Sequence, residues 1–191
     1  MNKFWLLFIA FLVIPSAFAR AEAVDGFGDA KTIAGEHFDI DYKDGVDLAV
    51  LADKLKISDT DQQLTSLKID TSSPEKELAS KVEILFNRAS DVLDMHVYSI
   101  HAHIKIFADF QQLQDFYHHM YQGNLPCTGF SFYLPQYDSI YICAFYFRRE
   151  ILGHEMGHAI MTRYFVVQPS IKIQEVLAGY VEYQLRKSKD Q

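Results

Sequence analysis

The chain has 191 residues and a formal charge of −7, from 18 Lys and Arg against 25 Asp and Glu. That length gives one domain with a real core. An acidic balance with no basic patch and no nucleic-acid motif argues against binding to a phosphate backbone.

The first nineteen residues read as a secretory signal. Lys3 supplies the positive start, residues 4–14 an apolar run, and Ala17-Phe18-Ala19 an A-x-A cleavage site. Cleavage after Ala21 or Ala23 fits as well. The run is short for a membrane span, although an uncleaved anchor is the other reading. No Cys follows it, which argues against a lipid anchor. A single domain over residues 20–191 is therefore expected in the periplasm or outside the cell. It would have no stable membrane span.

Residues 20–35, with Gly26, Gly28 and Gly35, read as an irregular lead-in. His37-Phe38-Asp39-Ile40-Asp41-Tyr42 alternates and predicts a strand. Asp47 is placed to cap a helix over residues 48–55. Residues 58–73 are rich in Asp, Thr and Ser and read as a loop, with at most a short strand at Leu67-Lys68-Ile69. Ser73 followed by Pro74 at a first helical position starts a long helix to about Met95. Leu78, Val82, Leu85, Ala89, Val92 and Leu93 keep helical spacing along it.

Residues 101–107 alternate again, with Ala102, Ile104 and Ile106 on one face and His101, His103 and Lys105 on the other. That is a half-buried strand with a solvated outer face. A helix follows over residues 109–121. Residues 129–134 and 139–143 are β-rich runs around Pro135-Gln136-Tyr137-Asp138, a predicted hairpin. Cys127 and Cys143 fall on either side of it. In an oxidising compartment they suggest a disulfide; two buried free thiols are the alternative. The expected class is α+β, a small and mostly antiparallel sheet packed on helices.

The densest chemistry comes last, in His154-Glu155-Met156-Gly157-His158. The run from 147 to 161 reads as helical. Residues four apart stand on one helical face, so His154 and His158 aim two imidazoles at one point. Leu152, Met156, Ile160 and Arg163 fall elsewhere. Two imidazole nitrogens and one carboxylate oxygen, with a fourth position open, form the ligand set of a catalytic zinc ion. Glu155 is then free to take a proton from zinc-activated water as general base. A helix that carries two histidines by chance is the bland alternative.

The second piece is Gln174-Glu175-Val176-Leu177-Ala178-Gly179-Tyr180-Val181-Glu182-Tyr183. With the histidine motif it resembles the gluzincin metallopeptidases, of the peptidase MA type. The likeness is to the N-E-G-F-A-x-Y-x-E stretch of the membrane-alanyl-aminopeptidase kind. The resemblance implies Glu175 as third zinc ligand. It implies Glu182 as a later acid that accepts the other ring N–H of a liganding histidine. Ala178 and Gly179 share that helical face and would let the two helices approach closely. Three departures stand out. Sixteen residues separate His158 from Glu175, slightly fewer than in that family; position 174 is Gln; and no G-x-M-E-N motif is present. Aminopeptidase specificity therefore does not carry over.

The resemblance is close over residues 150–184 and elsewhere extends only to element order. It implies a zincin-like N-terminal lobe in a small form without the C-terminal lobe. In that family the strand before the histidine helix is the sheet edge that pairs with substrate. By resemblance Ile140, Tyr141 and Ile142 take that place, with an ordinary hairpin strand as the other reading. The family's oxyanion donor usually lies further along the chain; Tyr164, Tyr180 and Tyr183 are the candidates here. The expectation is an exported metallopeptidase with one Zn2+ per chain. It would cut peptide or protein substrates as an endopeptidase, with a partner protein able to complete the cleft. The alternative is a non-catalytic or latent zinc-site protein that binds a peptide or partner in the cell envelope.

Overall fold

A computed structural model describes residues 25–123 and 130–187. The secretory leader, its cleavage site and Cys127 lie outside the described residues. The elements are β1 (Lys31–Ile33), β2 (Phe38–Tyr42), α1 (Leu48–Leu55), α2 (Asp59–Thr65), α3 (Pro74–Leu93), β3 (Ala102–Phe107), α4 (Phe110–Tyr121), β4 (Ser131–Leu134), β5 (Ser139–Cys143), α5 (Arg149–Tyr164) and α6 (Ile171–Lys187). Among the described residues no helix is long and apolar enough to cross a membrane.

The class is α+β, a small sheet packed on helices, with strand order β1-β2-β3-β5-β4. Pairing is mixed rather than mostly antiparallel. The outer pairs β1–β2 and β4–β5 are antiparallel, and the inner pairs β2–β3 and β3–β5 are parallel. Parallel neighbours need a long crossover. Helices α1 to α3 supply the first, and α4 with β4 the second.

Local signals explain most boundaries. Asp47 accepts from the Ala49 and Val50 amides at the start of α1, and Ser73 caps α3 ahead of Pro74. Two elements depart from expectation. Residues 59–65 form a helix, not a loop, because Ser58 and Asp61 make a reciprocal capping box. No strand forms at Leu67-Lys68-Ile69. β1 is a three-residue edge strand, too short for its alternation to register.

One sheet face and the helices enclose the main core. Ile40, Ile104, Ile106, Ile140 and Ile142 pack against Leu78, Val82 and Leu85 of α3 and Leu152, Met156 and Ile160 of α5. The other face is divided. Under α4 it holds an aromatic cluster with Phe107, Phe116 and Tyr141. Beyond α4 it carries a polar ladder, in which His101 meets Asp39 at 3.1 Å and His103 meets Asp41 at 2.9 Å. Cys143 is buried at the end of β5 and has no disulfide partner among the described residues; the bridge expected for it runs to Cys127, outside them.

Candidate metal centre

α5 is packed on three sides, and each side has a separate cause. Leu152, Met156 and Ile160 enter the core. At its first turn Arg149 makes a two-pronged contact with Asp61 of α2, 2.8 Å on each prong, with both side chains buried. On the third side Gly153 and Gly157 form a groove for α6. A Cβ on Gly153 would stand 2.1 Å from Leu185 Cδ1, and one on Gly157 3.4 Å from Ala178 Cα.

This close approach determines where Glu175 lies. Ala178 belongs to it as expected, but Gly179 does not, since a Cβ there would meet nothing within 4 Å. The glycines that matter come one residue before each histidine. They were visible in Gly153-His154 and Gly157-His158, four apart on one face, but only the docked helix gives them meaning.

His154, His158 and Glu175 converge. His154 Nε2 and His158 Nε2 are 3.2 Å apart. Glu175 places one carboxylate oxygen 3.6 Å from the first and the other 3.5 Å from the second. A tetrahedral site with metal–ligand bonds near 2.1 Å has edges of about 3.4 Å. The His154–His158 edge is close to that value, and the Glu175 carboxylate faces the pair with one oxygen toward each ring, so the three side chains could hold one small divalent cation; two imidazoles with a carboxylate suit zinc. Burial, then the neighbouring His154, pushes the His158 pKa down, which favours the neutral ring that can offer a lone pair. His154 Nδ1 is buried without a hydrogen bond of good geometry and lies 3.4 Å from Glu182 Oε2. Glu182 thus stands at the ring nitrogen assigned to it, and its other oxygen is paired with Arg186.

Glu155 projects from α5 toward β4 and is buried. Burial pushes its pKa up, against the Ser131 hydroxyl and the charge of His154. Ser131 Oγ donates to it at 2.7 Å, and the Tyr133 backbone N–H adds a second donor. Neither partner was legible in sequence, because β4 lies more than twenty residues upstream. Glu155 and the trio line one cleft of about 810 Å³, with Ser131 to Tyr133 on one wall and Ile171, Gln174 and Arg186 on the other.

Two expectations are corrected. Ile140, Tyr141 and Ile142 do not form a free edge: β5 lies between β3 and β4, and all three residues are buried. Among the described residues the sheet edge beside the cleft belongs to β4, because the hairpin folds its first strand outward. Tyr164, Tyr180 and Tyr183 do not line the cleft; all three are exposed. A second group of donors, Glu36, His37 and Glu83, is accounted for by a 2.5 Å His37–Glu83 contact and the packing of His37 on Phe86.

No family model matches the chain, and no match is found among curated proteins or solved structures.

Proposed function

We propose that this protein is an exported zinc-dependent metallopeptidase, an endopeptidase on peptide or protein substrates. The observation that carries the reading is the convergence of His154, His158 and Glu175 within 3.2–3.6 Å, with Glu155 beside them on one open cleft. The leader sequence supports export.

His154, His158 and Glu175 would hold the ion, one per chain. Zinc, when bound, supplies Lewis acidity: it acidifies water and polarises a carbonyl. Glu155 receives the proton of the attacking water and passes it to the leaving amine. Its buried setting raises its basicity, and Ser131 with the Tyr133 N–H fixes the direction of its carboxylate. Glu182 orients His154 from behind. The outer edge of β4, apart from the Tyr133 N–H that Glu155 holds, is placed to pair with an extended substrate chain.

A second reading, a non-catalytic zinc-site protein that binds a peptide or partner, draws on one observation. The three tyrosines proposed as oxyanion donors all lie outside the cleft.

The deciding experiment measures zinc per chain and cleavage of a peptide library for the wild type, Glu155→Gln and Glu175→Ala. The peptidase reading expects Glu155→Gln to keep metal and lose cleavage, and Glu175→Ala to lose much of the metal. Cleavage that survives Glu155→Gln removes the mechanism. A wild type that holds zinc and cuts nothing, alone or with cell-envelope extract, favours the binding reading.

A further inference from the structure

Thirteen large apolar side chains are exposed among the described residues, and eight of them fall between positions 164 and 183. Single exposed apolar residues need no explanation, but a continuous patch does. Ile173, Val176, Tyr180 and Tyr183 recur at intervals of three, four and three, so they form one stripe along α6. The stripe lies opposite Ala178, Val181 and Leu185, which are the residues α6 buries. Val166 and Val167, in the segment just before α6, are exposed as well, at 101% and 83%.

We propose that this stripe is the interface of an antiparallel, two-fold symmetric homodimer. The three-four-three spacing reads the same in both directions. A two-fold axis beside position 178 sets Ile173 against the partner's Tyr183 and Val176 against the partner's Tyr180. Each aliphatic side chain then meets a ring, and the two halves of the contact are identical, as two-fold symmetry requires. A parallel pairing would instead stack each residue on its own copy.

Charge favours the same register. Antiparallel, Lys172 lies opposite the partner's Gln184, and Lys187 falls beyond the start of the partner's α6. Parallel, each lysine faces another lysine. Gly179 borders the stripe, and the space around it is empty within its own chain. A partner helix at close range gives that missing side chain a reason. Covering the patch would remove on the order of 600 Å² from water per copy, about 1,200 Å² in all, the lower limit for a stable interface. A lipid surface fits less well. Among the described residues Lys172 and Lys187 are the only cations of α6 without a carboxylate partner, since Arg186 is held by Glu182, and membrane-surface helices are rich in Lys and Arg. The dimer leaves Glu175 and Glu182 off the seam, so it does not depend on the zinc-site reading.

The test is sedimentation velocity of the purified protein across roughly two decades of concentration, because an interface at this size limit associates weakly. The wild type is expected to pass from monomer to dimer. Val176→Glu and Tyr180→Glu should each weaken association at least tenfold with an unchanged circular dichroism spectrum. Chains carrying Ile173→Cys, mixed with chains carrying Tyr183→Cys, should cross-link under an added oxidant beyond the wild-type level. Ile173→Cys alone should not. A wild type that stays monomeric throughout overturns the proposal, as does a dimer that survives both glutamate variants. Cross-linking of Ile173→Cys alone overturns the antiparallel register. A monomer that loses binding to phosphatidylglycerol vesicles in the same variants assigns the stripe to a membrane and overturns the dimer.

Discussion

Asp61→Ala tests how α5 is held in place. The Asp61 carboxylate is 2% exposed and receives both prongs of Arg149, itself 2% exposed, at 2.8 Å. It also accepts from the Ser58 amide at 2.9 Å and the Ser58 hydroxyl at 2.7 Å. Alanine removes the charge that compensates a buried guanidinium. Breaking a buried pair from one side costs about 3–5 kcal/mol. In a domain of this size that is a fall in Tm on the order of 10 °C. Burial by itself would raise the Asp61 pKa; the Ser58 donors and Arg149 outweigh it and hold the carboxyl below its ordinary value. A carboxylate with a lowered folded pKa contributes fully above its unfolded pKa, near 4, and loses that contribution as pH falls through the folded value. The gap between wild type and variant is therefore full at pH 7 and closes below about pH 4. Thermal melts by circular dichroism from neutral to acid pH measure it. Asp61→Leu combined with Arg149→Met should recover part of the loss, since an apolar pair of similar volume replaces the buried Arg149 pair at little cost, while the Ser58 cap and the 3.3 Å contact with Arg88 stay lost. A Tm loss under about 2 °C at neutral pH, or a gap that widens toward acid, would refute the reasoning.

Four further outcomes follow from the same contacts. Gly153→Val should push α6 off α5 and weaken zinc binding at least tenfold in competition with a chromophoric chelator, whereas Gly157→Ala, whose Cβ would make ordinary contact with Ala178 Cα at 3.4 Å, should bind as the wild type does. His158→Ala should lose zinc and His101→Ala should keep it, by metal analysis after dialysis; equal retention would contradict the assigned site. Ser131→Ala should keep zinc and lower kcat/KM by about tenfold, because a hydrogen bond that positions Glu155 is worth about 1–1.5 kcal/mol; an unchanged kcat/KM would remove Ser131 from the machinery. Asp25→Ala strands Lys105, now 2.6 Å from that carboxylate, and the Tyr141 hydroxyl. It should cost about 2–3 kcal/mol in urea unfolding at neutral pH, an effect that vanishes in acid because the Asp25 pKa is lowered in the fold, its donors outweighing burial.

The sequence by itself determined what depends on near neighbours. Asp47 and Ser73 set helix starts because a cap acts within three residues. The alternation of Ala102, Ile104 and Ile106 set a strand because a strand has two faces. His154 and His158 shared an aim because a helix repeats every 3.6 residues. Even α2 has a local cause, since Ser58 and Asp61 form a capping box within a stretch whose polar composition reads as a loop. Tertiary structure alone decided how distant segments meet. It placed β5 inside the sheet and gave the outer edge to β4, because strand order follows from crossovers and not from hydropathy. It brought Ser131 onto Glu155 across twenty-four positions of chain. It also assigned the close helix contact to Gly153 and Gly157 and left Gly179 facing open space. One helical period marks two small residues as neighbours on a face, but only the packed partner determines which face is covered.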